Sequence, residues 1–282
     1  MSRAYAARTG PRRAPRRRVA LASLWPRART RRRVLRALRA TPLSVRIVAG
    51  ALVVLALWFA ANAIVQVLRK PTELFFPVSG ALSKTPPETW RQYAPLFRAH
   101  STAVITPEFL AALAQVEGAG NPVARTYWRW QWSTNPFELY RPASSAVGMY
   151  QITDATLRDA KRYCIHDHVV VEAGRWFDPR ACWFNGLYTR VVPSHAVEMA
   201  AALLDARVAR ILARHRIGAA TLQQKQDLAA VIHLCGPGAG DAYARRGFRL
   251  TPGQRCGDHE VYRYLARVNA MKGVFARLAV AA

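Results

Sequence analysis

A glutamate and a glutamine-bearing turn are the residues of this chain best suited to chemistry. Glu117 ends the run TPEFLAALAQVE at 106–117, and a turn rich in Gly, Asn and Pro follows through Gly118, Gly120, Asn121 and Pro122. A carboxyl in the last turn of a helix faces the negative end of the backbone dipole, which disfavours its ionised form. A carboxyl that keeps its proton can act as a general acid. Further along stands Gly148-Met149-Tyr150-Gln151. Such a turn brings backbone close to a ligand and offers one placed amide, the kind of polar group that orients a bound sugar. Taken singly, both features have plainer readings. Most helix-end glutamates are surface residues, and most turns of this composition are structural.

Between them lie Tyr127, Trp128, Trp130, Trp132, Phe137 and Tyr140, interleaved with Arg125, Arg129 and Arg141. The tryptophans alternate, as on one face of a strand or extended loop. Flat aromatic faces suit pyranose rings, and arginines suit carboxylates. A satellite hydrophobic cluster under a long loop has the same composition, so both readings stay open.

The elements that must hold these residues are mostly helical. Thr106 can cap a helix, Pro107 fits its first position, and Phe109, Leu110, Leu113 and Val116 recur at helical spacing. Gly118 and Gly120 are the expected stop. Further helices are expected at 153–163, at 194–214 with Ser194 as cap, at 222–234 ended by Gly236-Pro237-Gly238, and at 258–278. The β-branched stretch 165–171 reads as a short strand or loop. Residues 69–105 read as a linker and lead-in, because Pro71, Pro77, Pro86, Pro87 and Pro95 interrupt regular structure. No internal repeat is visible. The expected fold class is mainly α, with the principal domain at 106–282.

Charge divides the chain. It has 282 residues, 42 Lys+Arg and 16 Asp+Glu, for a formal net charge of +26. Residues 1–46 hold 15 arginines and no acid. The stretch 47–68, IVAGALVVLALWFAANAIVQVL, is uncharged, and its strongly polar members are Asn62 and Gln66. That length suits one bilayer span. The arginine block before it predicts a cytoplasmic N-terminus and an extracytoplasmic C-terminal domain, single-pass in the inner (cytoplasmic) membrane. Ala61-Asn62-Ala63 resembles a signal-peptidase site, but 46 preceding residues are long for a signal peptide, so a retained anchor is the reading adopted. The basic tail is read as a topology determinant rather than a nucleic-acid-binding segment.

Four cysteines, Cys164, Cys182, Cys235 and Cys256, all follow the span. An even number on the exported side allows disulfides. Three pairings exist, and the nearest-neighbour one, Cys164–Cys182 with Cys235–Cys256, is the expectation. No C-x-x-C occurs, and Cys164-x-His166-x-His168 is a weak ligand set. No metal or cofactor is expected.

Four stretches, in order, carry a family resemblance. They are Glu117-Gly118 with Asn121-Pro122, the run GMYQITDAT at 148–156, Ile232-His233-Leu234-Cys235-Gly236-Pro237-Gly238, and Glu260-Val261-Tyr262-Arg263-Tyr264-Leu265. The chain from about Ile105 to Val268 resembles the catalytic domain of lytic transglycosylases with the goose-type lysozyme fold. In that family a Ser follows the catalytic Glu, where this chain has Gly118. A Tyr-Asn pair stands where this chain has His233-Leu234. The resemblance implies a lysozyme-like α-helical domain that cleaves peptidoglycan glycan strands without a cofactor. It implies Glu117 as acid and then base, with Tyr264 hydrogen-bonded to it and Tyr262 as the fallback. It also implies substrate contacts from Gly148, Met149, Tyr150 and Gln151, and a cleft lining altered at His233. Ser144 or Ser145 could supply the missing hydroxyl, and Trp128 a sugar platform. Asp154, Asp159 and Glu198 are the candidates for a second, hydrolytic acid, as in a lysozyme. The altered motif positions also fit a non-catalytic wall-binding scaffold. The expected partners are glycan strands and the membrane through 47–68, with envelope machinery possible and nucleic acid not expected.

Overall fold

A computed structural model describes residues 40–174, 177–178 and 181–281. The arginine-rich tail, apart from its last few residues, lies outside the described residues. The chain divides into two compact units, residues 1–60 and 61–282.

The apolar stretch forms helix α1, Leu43–Arg69. At 27 residues it is long and apolar enough to cross a membrane. In the second unit, short helical turns at Pro71–Phe75, Phe76–Ser79 and Gly80–Leu82 follow. Helix α2, Pro86–Ala99, comes next. The prolines do not make 69–105 a mere linker. Pro86 and Pro87 occupy the first two positions of α2, where a missing N–H costs nothing. A capping box of Thr85 and Glu88 starts the helix. Pro95 sits inside it. Trp90, Tyr93 and Phe97 repeat at helical spacing and are buried in the core, and that packing outweighs the proline's local penalty.

Helix α3, Pro107–Gly118, is capped by the Thr106 hydroxyl, which accepts from the Phe109 N–H. Phe109 through Ala114 are all buried, so α3 runs through the core rather than over it. Trimming Leu110 to alanine would cost on the order of 3 kcal/mol. The residue that turns the chain out of α3 is Ala119, at φ 48°, with Gly120 after it.

Strands β1, Trp128–Trp130, and β2, Tyr140–Pro142, pair antiparallel, with Arg129 opposite Arg141. Thr153 caps α4, Asp154–Ala160. Strands β3, Tyr163–His166, and β4, Val169–Glu172, form a second hairpin where a strand or loop was expected. Helix α5, Pro193–Arg214, begins one residue earlier than expected. Its cap is Val192, and Ser194 lies within the first turn. Helix α6, Leu222–Cys235, opens on a Thr221/Gln224 capping box. The Gly236-Pro237-Gly238 stop also starts a helix, α7, Pro237–Arg245, because proline is preorganised for the first helical position. A small hairpin of β5, Arg255–Cys256, and β6, His259–Glu260, leads into α8, Val261–Val280.

The result is mainly helical, with three two-stranded sheets among the described residues. Helix α3 packs against α8 and α2, and α5 packs against α6. Both expected disulfides are present, Cys164–Cys182 and Cys235–Cys256. The first ties β3 to the loop before α5. The second ties the end of α6 to the hairpin before α8.

Candidate active site

Glu117 projects from the last turn of α3, and its side chain is 16% exposed. It is neither a freely solvated surface carboxylate nor a sealed one. The Tyr264 hydroxyl, from the first turn of α8, donates to Glu117 Oε1 at 2.5 Å. Tyr264 is almost wholly buried. Burial first, and the adjacent Glu117 charge second, push its hydroxyl well above the usual phenol range, so it remains a donor. His233 Nε2, from the last turn of α6, lies 3.7 Å from the same Oε1. Three helices therefore converge on one carboxyl group. Tyr262 is 69% exposed and does not share the role its neighbour fills.

The turn at 148–151 lies against the base of α3. Gly118 has no room for a side chain: a Cβ there would sit 2.9 Å from Met149 Cα and 3.1 Å from the Gly148 and Met149 carbonyl oxygens. Gly148 adopts φ 84°, and a Cβ on it would sit 2.3 Å from the Arg190 carbonyl. Gln151 is held at φ 46°, a left-handed conformation that non-glycine residues rarely adopt. Its amide donates to the carbonyls of Gly148 at 2.9 Å and Ala124 at 3.1 Å. Those bonds close the turn and fasten it to the loop that leaves Glu117.

Met149 and Tyr150 were expected to touch substrate. Both are fully buried. Tyr150 donates its hydroxyl to the Leu110 carbonyl in α3, and burial pushes it well above the usual phenol range. They are the hydrophobic plug by which the turn grips the core. Gln151 and His233 share a groove of about 310 Å³, whose lining includes Thr153, Thr156, Arg207 and Pro237.

The other expected site residues go elsewhere. Ser144 accepts from the Ala146 N–H, and Ser145 from the Asp154 N–H at the start of α4. Both hydroxyls therefore serve turns rather than Glu117. Trp128 donates to Glu73 and lines a different cavity, with Tyr140 and Phe76. Asp154 pairs with Arg190, and Asp159 with Arg207. Glu198 accepts from the Ile165 N–H and the Tyr188 hydroxyl. Each candidate for a second acid is thus committed to a partner. Cys164 is spent on its disulfide and is no thiolate ligand.

One cluster escaped the sequence reading. Glu73 is 3% exposed and accepts from Arg125 at 2.8 Å and from the Trp128 indole at 3.0 Å. Arg125 in turn lies over the Phe76 ring at 3.7 Å. Nothing in the spacing of Glu73 marked it. Its partners are 52 and 55 residues away.

What remains is a mostly buried carboxyl with one hydroxyl donor and one imidazole beside it, and of these three it is the imidazole that lines the groove. Such a group can give a proton and take one back. The chain matches none of the protein-family models and none of the curated proteins with which it was compared.

Proposed function

We propose that the chain is a membrane-anchored lytic transglycosylase of the goose-type lysozyme-like class, cutting the β-1,4 bond between N-acetylmuramic acid and N-acetylglucosamine. The observation that carries this reading is the Tyr264–Glu117 hydrogen bond. It joins the first and last of the four ordered motifs at the atom the chemistry needs.

Tyr264 donates to Oε1, so a protonated Glu117 carries its hydrogen on Oε2. That proton passes to the glycosidic oxygen as the bond from the muramyl C1 breaks. Positive charge builds on C1 and the ring oxygen. Glu117 is now a carboxylate, stabilised by the Tyr264 hydroxyl and, when protonated, by His233. It takes the proton from the muramyl 6-hydroxyl, whose oxygen closes on C1 as a 1,6-anhydro ring. The carboxyl is restored and no water is consumed. The nucleophile is part of the same sugar, so its high effective concentration lowers the barrier. Asp154, Asp159 and Glu198 are committed to other partners, which favours this one-carboxyl route over a hydrolytic one. The apolar helix α1 supports anchoring, with the arginine-rich N-terminus cytoplasmic and the domain outside.

The test uses the full chain in detergent on purified peptidoglycan, with products weighed by mass spectrometry. Anhydro-muropeptides from the parent and none from Glu117→Gln are expected. Products heavier by one water would replace the reading with a lysozyme. Wall binding without any release would replace it with a scaffold.

A further inference from the structure

Tyr264, whose hydroxyl donates to Glu117, also lines a pocket of about 320 Å³ between the β5–β6 hairpin and α8. That volume is at the lower end of the roughly 300–1,000 Å³ usual for small-molecule sites. It suits one residue-sized group rather than a sugar chain.

The walls of this pocket are charged. Arg255 comes from β5, and Arg263 and Arg267 come from α8. Arg263 pairs with Glu260 at 2.8 Å. The other two keep their charge free. Arg255 donates to the Asp258 carbonyl at 2.9 Å, a neutral acceptor. Arg267 makes no hydrogen bond or ion pair among the described residues. It stands one turn beyond Tyr264, and its charge is felt at that hydroxyl: burial pushes the phenol up, and Arg267 pulls against it. One acid is free as well. The Asp258 carboxylate has no cationic partner among the described residues and accepts from the Tyr127 hydroxyl at 2.9 Å.

The pocket is pinned to the candidate active site from several sides. Tyr264 is shared, and Tyr127 belongs to the loop that leaves Glu117. The Cys235–Cys256 disulfide ties β5 to the helix bearing His233. The mixed charge decides what fits. A phosphate polymer would meet Asp258 and Glu260 as like charges. A peptide with carboxylates and a free amine finds partners of both signs.

We infer that this pocket is a subsite for the stem peptide of the muramyl residue, with peptide carboxylates on Arg255 and Arg267 and the peptide amine on Asp258. Guanidinium takes a carboxylate through two parallel N–H bonds, which suits it to this task. The inference rests on the proposed function for its substrate, because the muramyl sugar that is cut carries such a peptide on its lactyl ether. It does not depend on the chemistry at Glu117.

The test is calorimetric titration of the full chain in detergent with two soluble wall fragments. One is a disaccharide bearing its uncrosslinked stem peptide, and the other is the same disaccharide without it. The parent should bind the first about tenfold more tightly, on the order of three exposed charge pairs. In Arg255→Gln/Arg267→Gln that advantage should fall to about twofold, with one pair remaining. Both positions are exposed, so the change spares the core. An equal advantage in parent and variant, or none in the parent, would overturn the subsite. Tighter binding of a glycerol phosphate oligomer than of the peptide-bearing fragment would also overturn it. If the advantage behaves as expected but the parent releases no anhydro-muropeptides from wall, the subsite stands and the proposed chemistry falls.

Discussion

Gly118 and Met149 meet backbone to backbone, so closely that any side chain on Gly118 would displace the Met149 main chain. The end of α3 and the turn that closes on Gln151 are thereby fixed with respect to each other. The glycine is a packing requirement, and the serine that the resembling family places there would not fit without moving the turn. We expect Gly118→Ser to destabilise the protein by about 1–3 kcal/mol through overpacking. Thermal unfolding measures this, and a Tm equal to the parent's would show that the turn yields freely.

The Tyr264 hydroxyl can be removed with little change of shape. Tyr264→Phe should lower kcat about tenfold, the loss of one hydrogen bond to a reacting group. Glu117→Gln should lower it roughly 10³-fold, the usual worth of a general acid–base group. Tyr262→Phe, at an exposed position, should do neither. Peptidoglycan turnover by the three variants separates these outcomes. Equal losses at Tyr262 and Tyr264 would mean the hydrogen bond is not what matters.

Alkaline stability carries a sign set by burial. Tyr264 and Tyr150 are raised well above the usual phenol range, and Tyr243 is pushed up to about 12, in each case chiefly by desolvation. Unfolded tyrosines lose their protons near the ordinary value of 10, while the folded ones keep theirs. Above that pH the folded state binds more protons, so stability falls as pH rises. Below it the stabilisation is fully present. Each such tyrosine contributes a slope of about 1.4 kcal/mol per pH unit in that window. Denaturant midpoints between pH 8 and 11 should be level at first and then drop. A midpoint constant to pH 11 would contradict the burial.

The two disulfides should differ in what they protect. Cys235–Cys256 joins the helix that presents His233 to the hairpin that launches the helix bearing Tyr264. Cys164–Cys182 braces β3 instead. Their sequence separations of 18 and 21 residues are similar. Both losses should therefore cost about 3 kcal/mol through chain entropy. Replacing Cys235 and Cys256 by alanine should reduce activity well below the level set by lost stability. Replacing Cys164 and Cys182 should not. Turnover at a temperature where both variants are folded makes the comparison.

Much of this was legible in the chain because the signals are local. Thr106-Pro107 marks a helix start through a hydroxyl that reaches backbone three residues on. Tyr264 was identifiable as the partner of Glu117 only through the order of the motifs. The inward direction of Met149 and Tyr150 was not legible, since a turn's spacing does not say which side faces the core. Helix α2 was hidden because prolines speak against a helix locally, whereas Trp90, Tyr93 and Phe97 find their partners only in the assembled core. Asn62 and Gln66 looked like blemishes in an apolar run. Their purpose resides in carbonyls 78 and 71 residues away.

The Glu117 carboxyl and the Tyr264 phenol are 147 residues apart in the chain. Helix α8 must therefore be made and dock before the two can touch. A nascent or clipped chain lacking that helix would expose Glu117 without its donor and without the Phe275 side of the core. The Glu117–Tyr264 pair is thus completed only by the docking of α8, a condition set by topology.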